Sequence, residues 1–384
     1  MATTHSSSGN TGTTRGEMRQ NMEHPHWNLT VITFCTIALL LSGLMMVTSA
    51  SSVFSYQHYG SSYALAIRQL GFGAVGGYLA WRVSYFSVVQ VRRLVAPLLL
   101  LSGTALVLVL VIGSSVNGQK NWINLWGPLR LQPSEFAKLA VVLFGAHVMA
   151  RNYHRLDNRL VLLFPVSLVF LAILFLIMAE GDLGTAMVIT PIMAAPFYFV
   201  GAPRSWFVGL ATFGVLGILG LSYAQPYRMR RFTSWLHQNS DQQGTNYQFT
   251  HGKYALGSGG ILGQGLGASK EKWGTLPEAH TDFIYAVIGE ETGLLGTIIV
   301  LALFIALITS GIRIAKNTHD NFVKLTSLGI CTWLATQMIV NIGGVLGILP
   351  ITGVPLPLVS YGGSSLIPTL IALGILMSFA RQET

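Results

Sequence analysis

The chain has 384 residues, of which 51% are hydrophobic and only 10% charged, with a formal net charge of +9. Soluble domains carry about a quarter charged residues, so this composition, with a mean hydropathy of +0.55, excludes an ordinary soluble protein. It also lacks the short alternating strands of an outer-membrane barrel. An all-α integral membrane protein is therefore expected, because helices satisfy their own backbone hydrogen bonds in lipid.

Residues 1–26 are rich in Ser, Thr, Gly and Asn and show no apolar periodicity, so they read as a disordered cytoplasmic tail. The apolar run that starts near Trp27 is too long for a signal h-region and has no convincing cleavage site, so no cleavable signal peptide is expected. Ten candidate spans follow, near 28–50, 62–82, 94–115, 133–151, 159–179, 184–201, 205–224, 283–312, 323–346 and 364–380. Each approaches the roughly 20 residues a bilayer requires. Together they make one polytopic domain over 27–381, with a large loop at about 225–282 between spans 7 and 8 and a short cytoplasmic end at 382–384. Cys35 and Cys331 both fall inside apolar spans and read as packing residues, not as a disulfide or metal pair.

Basic residues set the orientation. With the N-terminus in the cytoplasm, the alternate connections carrying Arg82, Arg92, Arg93, Arg151, Arg155, Arg159, Arg204, Arg313, Lys316 and Lys324 all lie inside, and so do both termini. The short outer connections then carry only Lys120 and Arg130. The inside rule accounts for most of the positive charge, and no nucleic acid is expected.

The 14 carboxylates of the chain are concentrated at the outer side. The densest stretch is LPEAHTDFIYAVIGEETG at 276–293, with Glu278, His280, Asp282, Glu290 and Glu291 at the entrance of span 8. GQKNWINLWGPLRLQPSEFAKL at 118–139 offers Trp122, Trp126, Arg130, Glu135 and Lys138. AEGDLGT at 179–185 adds Glu180 and Asp182, and PYRMRR at 226–231 adds Arg228, Arg230 and Arg231. Ionisable groups at membrane depth usually face a cavity or a partner. For Glu135 and Lys138 the alternative is an i,i+3 ion pair that satisfies itself. For Trp122 and Trp126 it is an interfacial belt, and for the arginines a solvated loop. The sequence GQGLGA at 263–268 fits a dinucleotide fingerprint, but no strand–helix unit surrounds it. Close backbone approach to a head group or a neighbouring helix suits it better.

An acidic group at the lipid–water boundary, ringed by cations and aromatics, suits an anionic lipid-linked substrate. A sugar activated by a lipid pyrophosphate needs a base for the attacking hydroxyl and cations for the leaving group. Asp282 can be the base. Outer Arg and Lys side chains can supply the cations, with a divalent cation (Mg or Mn) as the expected helper and no organic cofactor.

Six ordered motifs resemble the SEDS family of shape, elongation, division and sporulation proteins. They are QPSEFAKL at 132–139, DLGTA at 182–186, PYRMRR, ALGSGGILGQGLGASKEKWG at 255–274, LPEAHTDFIYAVIGEETG and GILPITGVPLPLVSYGGSSL at 347–366. The PEAHTDF wording is closer to division members than to elongation members. The resemblance implies a peptidoglycan glycosyltransferase that polymerises lipid II on the outer face of the bacterial cytoplasmic membrane at the septum. Its implied partners are a class B penicillin-binding protein and other divisome membrane proteins. It also implies that Asp282 is the essential aspartate and Trp122 the essential tryptophan. Arg68, Glu135, Lys138, Asp182, Arg228, Arg231, Lys272, His280 and Ser364 become substrate-binding candidates. Asn121 and Gly181 stand where the family usually has a basic residue and a proline. A lipid II flippase and a non-catalytic scaffold for the penicillin-binding protein are the rival readings.

Overall fold

In a computed structural model the described residues are 26–116, 119–126, 129–153, 159–210, 212, 214, 235–236 and 246–382. Arg228 and Arg231, the tail before residue 26 and most of the seventh expected span lie outside them. The helices are α1 (Trp27–Tyr59), α2 (Ala64–Val83), α3 (Val88–Ile112), α4 (Pro133–Arg151), α5 (Arg159–Ala179), α6 (Leu183–Phe199), α7 (Tyr247–Gly259), α8 (Ile284–Asn317), α9 (Asn321–Leu346) and α10 (Gly363–Arg381). All but α7 coincide with expected spans. Among the described residues, α1, α3, α8, α9 and α10 are long and apolar enough to cross a membrane. The protein is a multi-pass membrane protein.

Local chemistry sets the helix ends. Ser87 and Gln90 form a capping box at the start of α3, while Asp182 and Asp320 cap α6 and α9 by accepting from Thr185 N and Phe322 N. Gly60 ends α1 in the left-handed conformation. Pro97, Pro165, Pro191, Pro196 and Pro368 sit inside helices, which membrane helices tolerate when neighbours re-satisfy the freed carbonyls.

The most apolar window of α10 is 83% buried, against 22% for that of α3, so α10 lies at the centre of the bundle and α3 at the lipid-facing rim. Small residues allow the central contacts. A Cβ at Gly374 of α10 would come within 2.6 Å of the Ala80 carbonyl of α2, and one at Gly43 of α1 within 2.6 Å of the Leu358 carbonyl.

Two features depart from the sequence reading. Between α3 and α4 a three-stranded antiparallel sheet, β1 (Ser114–Val116), β2 (Gln119–Trp126) and β3 (Leu129–Leu131), runs in the order β1-β2-β3. Three-residue strands such as β1 and β3 carry too little alternation to stand out in the sequence. The stretch expected as a loop at 225–282 contains α7, which packs along α8 through Gly252 and Gly259.

The sheet, the α5–α6 turn, the segment 260–283 and the loop 347–362 meet at one end of the bundle, the sheet end. Lys120 N donates to Glu180 O at 3.0 Å, Ser364 Oγ to Arg130 O at 2.9 Å and Tyr361 N to His280 O at 3.0 Å. At the opposite end Arg92 pairs with Asp320 at 2.7 Å and Ser378 Oγ donates to Phe86 O at 2.6 Å.

Candidate active site

Asp282 is half-buried at the sheet end, one residue before the buried Phe283 that caps α8. The turn leading to it is tight. Glu278 adopts φ +55, and its carbonyl accepts from Thr281 N and Phe283 N, both at 3.2 Å. Ser360 Oγ donates to Thr281 O at 2.6 Å while accepting from Leu356 N at 2.8 Å. The SYGGSS motif therefore holds the HTDF motif by its backbone. His280 lies among the rings of Phe54 (5.1 Å) and Tyr361 (5.8 Å). Burial pushes its imidazole below the usual histidine range, against the pull of Glu278.

A pocket opens beside Asp282, lined also by Asn341, Gly344, Thr352, Gly353 and Val354. Gly353 has φ +76, and a Cβ there would lie 3.6 Å from Asp282 Oδ2. Asn341 Nδ2 donates to Asp282 O at 2.9 Å and to Val354 O at 2.8 Å. One α9 side chain thus joins the aspartate's backbone to the pocket's far wall.

Glu135 and Lys138 form a buried ion pair at 2.7 Å with side-chain exposures of 3% and 1%. Lys138 also donates to Gln337 Oε1 at 3.1 Å, and Gln337 Nε2 donates to Pro355 O at 2.9 Å. The pair props the 354–355 segment that walls the Asp282 pocket. Asp182 is saturated as well. It accepts from Asn121 Nδ2 (3.0 Å), Gln132 Nε2 (2.9 Å), Thr185 N (2.9 Å) and Thr185 Oγ1 (2.8 Å). Ser364 Oγ accepts from Gln132 N at 3.2 Å and donates to Arg130 O. Asp182 and Ser364 together tie the sheet to α6 and α10. Trp122 is half-buried in β2, opposite Ser114.

Lys272, Glu290 and Glu291 form a separate cluster. Lys272 Nζ lies 3.3 Å from Glu291 Oε1 and 3.0 Å from Ser49 Oγ of α1. Glu290 accepts from Ser269 Oγ (2.6 Å) and Lys270 N (2.8 Å), and Glu291 from Ser49 Oγ (2.6 Å) and Gly267 N (3.0 Å). This cluster staples the glycine-rich loop to α1 and α8. Arg68 is half-exposed, 4.3 Å from the Tyr59 ring centroid, and Arg130 is exposed.

Sequence reasoning did not single out Gln337 and Asn341. Their signal is two amides four residues apart, on one face of an otherwise apolar helix. No group of three or more His, Cys, Asp and Glu side chains among the described residues is arranged to hold a metal ion. The basic side chains at the sheet end are the charges on view for an anion.

A family model described as cell cycle protein, for FtsW, RodA and SpoVE, matches residues 29–384. Stage V sporulation protein E of Bacillus subtilis is 37% identical over 359 residues, covering 92% of this chain and 97% of that protein. The probable peptidoglycan glycosyltransferase FtsW of Coxiella burnetii is 38% identical over 357 residues, covering 91% and 95%. A chain solved in work on the structural coordination of polymerization and crosslinking by a peptidoglycan synthase complex superposes with a TM-score of 0.74 at 28% identity, covering 92% and 97%. The rod shape determining protein RodA of Thermus thermophilus does so with a TM-score of 0.66 at 28% identity, covering 92% and 96%. By this match along nearly its whole length, in sequence and in fold, the chain belongs to the FtsW/RodA/SpoVE family of cell cycle proteins.

Proposed function

We propose that this protein is a peptidoglycan glycosyltransferase that polymerises lipid II on the outer face of the cytoplasmic membrane, with the sheet end outside and both termini in the cytoplasm. The names of the FtsW relatives support the activity. The observation that carries the site is the contrast among the carboxylates. Asp182, Glu135, Glu290 and Glu291 are buried, whereas Asp282 is half-buried and lines the pocket. A general base must reach its proton, and Asp282 has that access.

In this reading Asp282 takes the proton of the acceptor sugar's 4-hydroxyl as that oxygen attacks the anomeric carbon of the lipid-linked strand. The bond to the pyrophosphate breaks on the opposite face, configuration inverts, and undecaprenyl pyrophosphate leaves with the electron pair. Lys138 and Lys272 already have buried carboxylate partners, and Arg68 and Arg130 are among the described cations at this end proposed to hold the pyrophosphate. Arg228 and Arg231 lie outside the described residues and belong to the same proposed role. Trp122 and His280 would border the sugar and lipid. A divalent cation would add charge neutralisation at the pyrophosphate when bound. A class B penicillin-binding protein is the proposed partner and the division septum the proposed location, with other divisome membrane proteins nearby.

The test is lipid II polymerisation by purified protein with its partner, read as glycan length on a gel. General-base catalysis contributes about 10²–10⁴-fold, so Asp282→Asn should lose strand synthesis by at least about a hundredfold. Undiminished synthesis would sink the assignment. Head-group transport without polymer would favour the flippase. That rival drew on charge inside the membrane, and the Glu135–Lys138 pair neutralises much of it.

A further inference from the structure

Asn341 sits on α9 with 5% exposure, at the pocket shared with Asp282. Its amide orientation follows from its partners. Two carbonyl oxygens, of Asp282 and Val354, lie 2.9 and 2.8 Å from one amide atom. Only the nitrogen can donate to both, so the other atom is the oxygen. That oxygen, Oδ1, is buried and accepts no hydrogen bond among the described residues. A buried acceptor left without a donor costs about 1–3 kcal/mol, a cost a stable anchor would not need to carry. An Asn whose only task was to hold two carbonyls could leave Oδ1 facing water or a neighbouring hydroxyl. The residue that carries it lines the same pocket as Asp282.

Other buried polar atoms at this end without a hydrogen-bond partner among the described residues, such as those of Glu180, Asn121 and Ser134, belong to residues that do not line this pocket. Glu180 Oε1 and Oε2 and Asn121 Oδ1 lie at the α5–α6 turn and the sheet. Glu135 Oε2 faces its lysine.

We propose that Asn341 is a substrate-contacting residue: Nδ2 positions Asp282 through its backbone carbonyl, and Oδ1 accepts a hydrogen bond from a hydroxyl flanking the attacking one on the acceptor sugar. This rests on the reading of Asp282 as the base. The chemistry is that of an amide acceptor reading a vicinal or nearby sugar hydroxyl. It would orient the acceptor ring so that the attacking oxygen meets Asp282, and would reject acceptors lacking the flanking donor. Sites built to bond a substrate hydroxyl discriminate sharply against analogues without it, because the buried partner is left unpaired.

The experiment uses the full-length protein with its partner and three acceptors: native lipid II and analogues deoxygenated at the 3- or the 6-position of the terminal sugar. Wild type should extend one of the two analogues about tenfold or more slowly than native lipid II, which also tells which hydroxyl is read. Asn341→Ala should be slow on native lipid II and lose that discrimination to within about twofold. Asn341→Asp leaves no cavity and keeps an oxygen at the Oδ1 position while replacing the donor to the two carbonyls. It should be slow yet still discriminate, and it provides the readout if the alanine variant does not fold. Full discrimination by Asn341→Ala would overturn the proposal and leave Asn341 an anchor. Equal use of both analogues by wild type would overturn it too. Asp282→Asn, run alongside, separates the two claims. If that variant polymerises normally, the reading of the site fails. If it is inactive while Asn341→Ala still discriminates, only this inference fails.

Discussion

Carboxyl groups of one chemical type hold very different positions at the sheet end. Asp182 accepts four hydrogen bonds and joins three elements. Glu180, two residues earlier, is 2% exposed and neither of its oxygens accepts a hydrogen bond among the described residues. Burial, with the Asp182 charge adding to it, pushes the Glu180 carboxyl up to about 8. It therefore keeps its proton at neutral pH. A carboxyl raised in the folded state supports folding at low pH and loses that support as pH rises from 4.5, its ordinary value, through about 8. Glu180→Gln removes this dependence. The melting temperature of the variant relative to wild type should rise steadily across that window in detergent, and a flat difference would show that Glu180 is ionised in the fold.

At the scale of elements, the break in α8 organises the glycine-rich loop. Gly293 has φ +70, which parts a short first segment from the long one that follows. The glycine-rich loop satisfies the groups freed there: Gln264 N and Gly265 N donate to the carbonyls of Glu290 and Glu291 at 2.9 and 3.0 Å, and Leu294 N and Leu295 N donate to Gly260 O and Ile261 O at 3.0 and 3.2 Å. Gly263, at φ +81, must be glycine on two counts, since a Cβ would also overlap the Glu291 carbonyl. Gly263→Ala should release residues 260–270, giving faster amide exchange and proteolysis there, with activity reduced and the rest of the bundle unchanged. Unaltered exchange would mean that the loop does not depend on this contact. The sequence announced the close approach by its glycines; the partner, a break in the next helix, was not legible, because nothing local distinguishes GEETG from continuous helix.

Across the whole molecule, the two ends differ in chemistry. One end carries the sheet, the Asp282 pocket and the stapled loop, and the other the Arg92–Asp320 pair and most of the short basic connections. The orientation is testable by thiol labelling. Cys35 and Cys331 are free and buried, so they give a quiet background. Leu266→Cys, at an exposed loop position, should react with a membrane-impermeant maleimide in intact cells. Lys316→Cys, exposed at the opposite end, should react only after permeabilisation. The reverse pattern would place the pocket in the cytoplasm and end the polymerase reading.

Composition and hydropathy alone determined that the chain is a helical membrane protein and where most of its helices run, because lipid forces every backbone polar group to be satisfied within a span. The ordered motifs brought Asp282, Trp122, Glu135 and Lys138 into view from the sequence. Only the tertiary structure decided what surrounds each of them. Glu135 and Lys138 lie one helical turn apart, but their burial and their link through Gln337 to Pro355 depend on α9 packing beside α4. Asn341 is one polar residue in an apolar span until the fold sets it against Asp282 and Val354. Whether a carboxylate is an anchor or a base depends on the donors and open space around it, and these come from residues far apart in the chain.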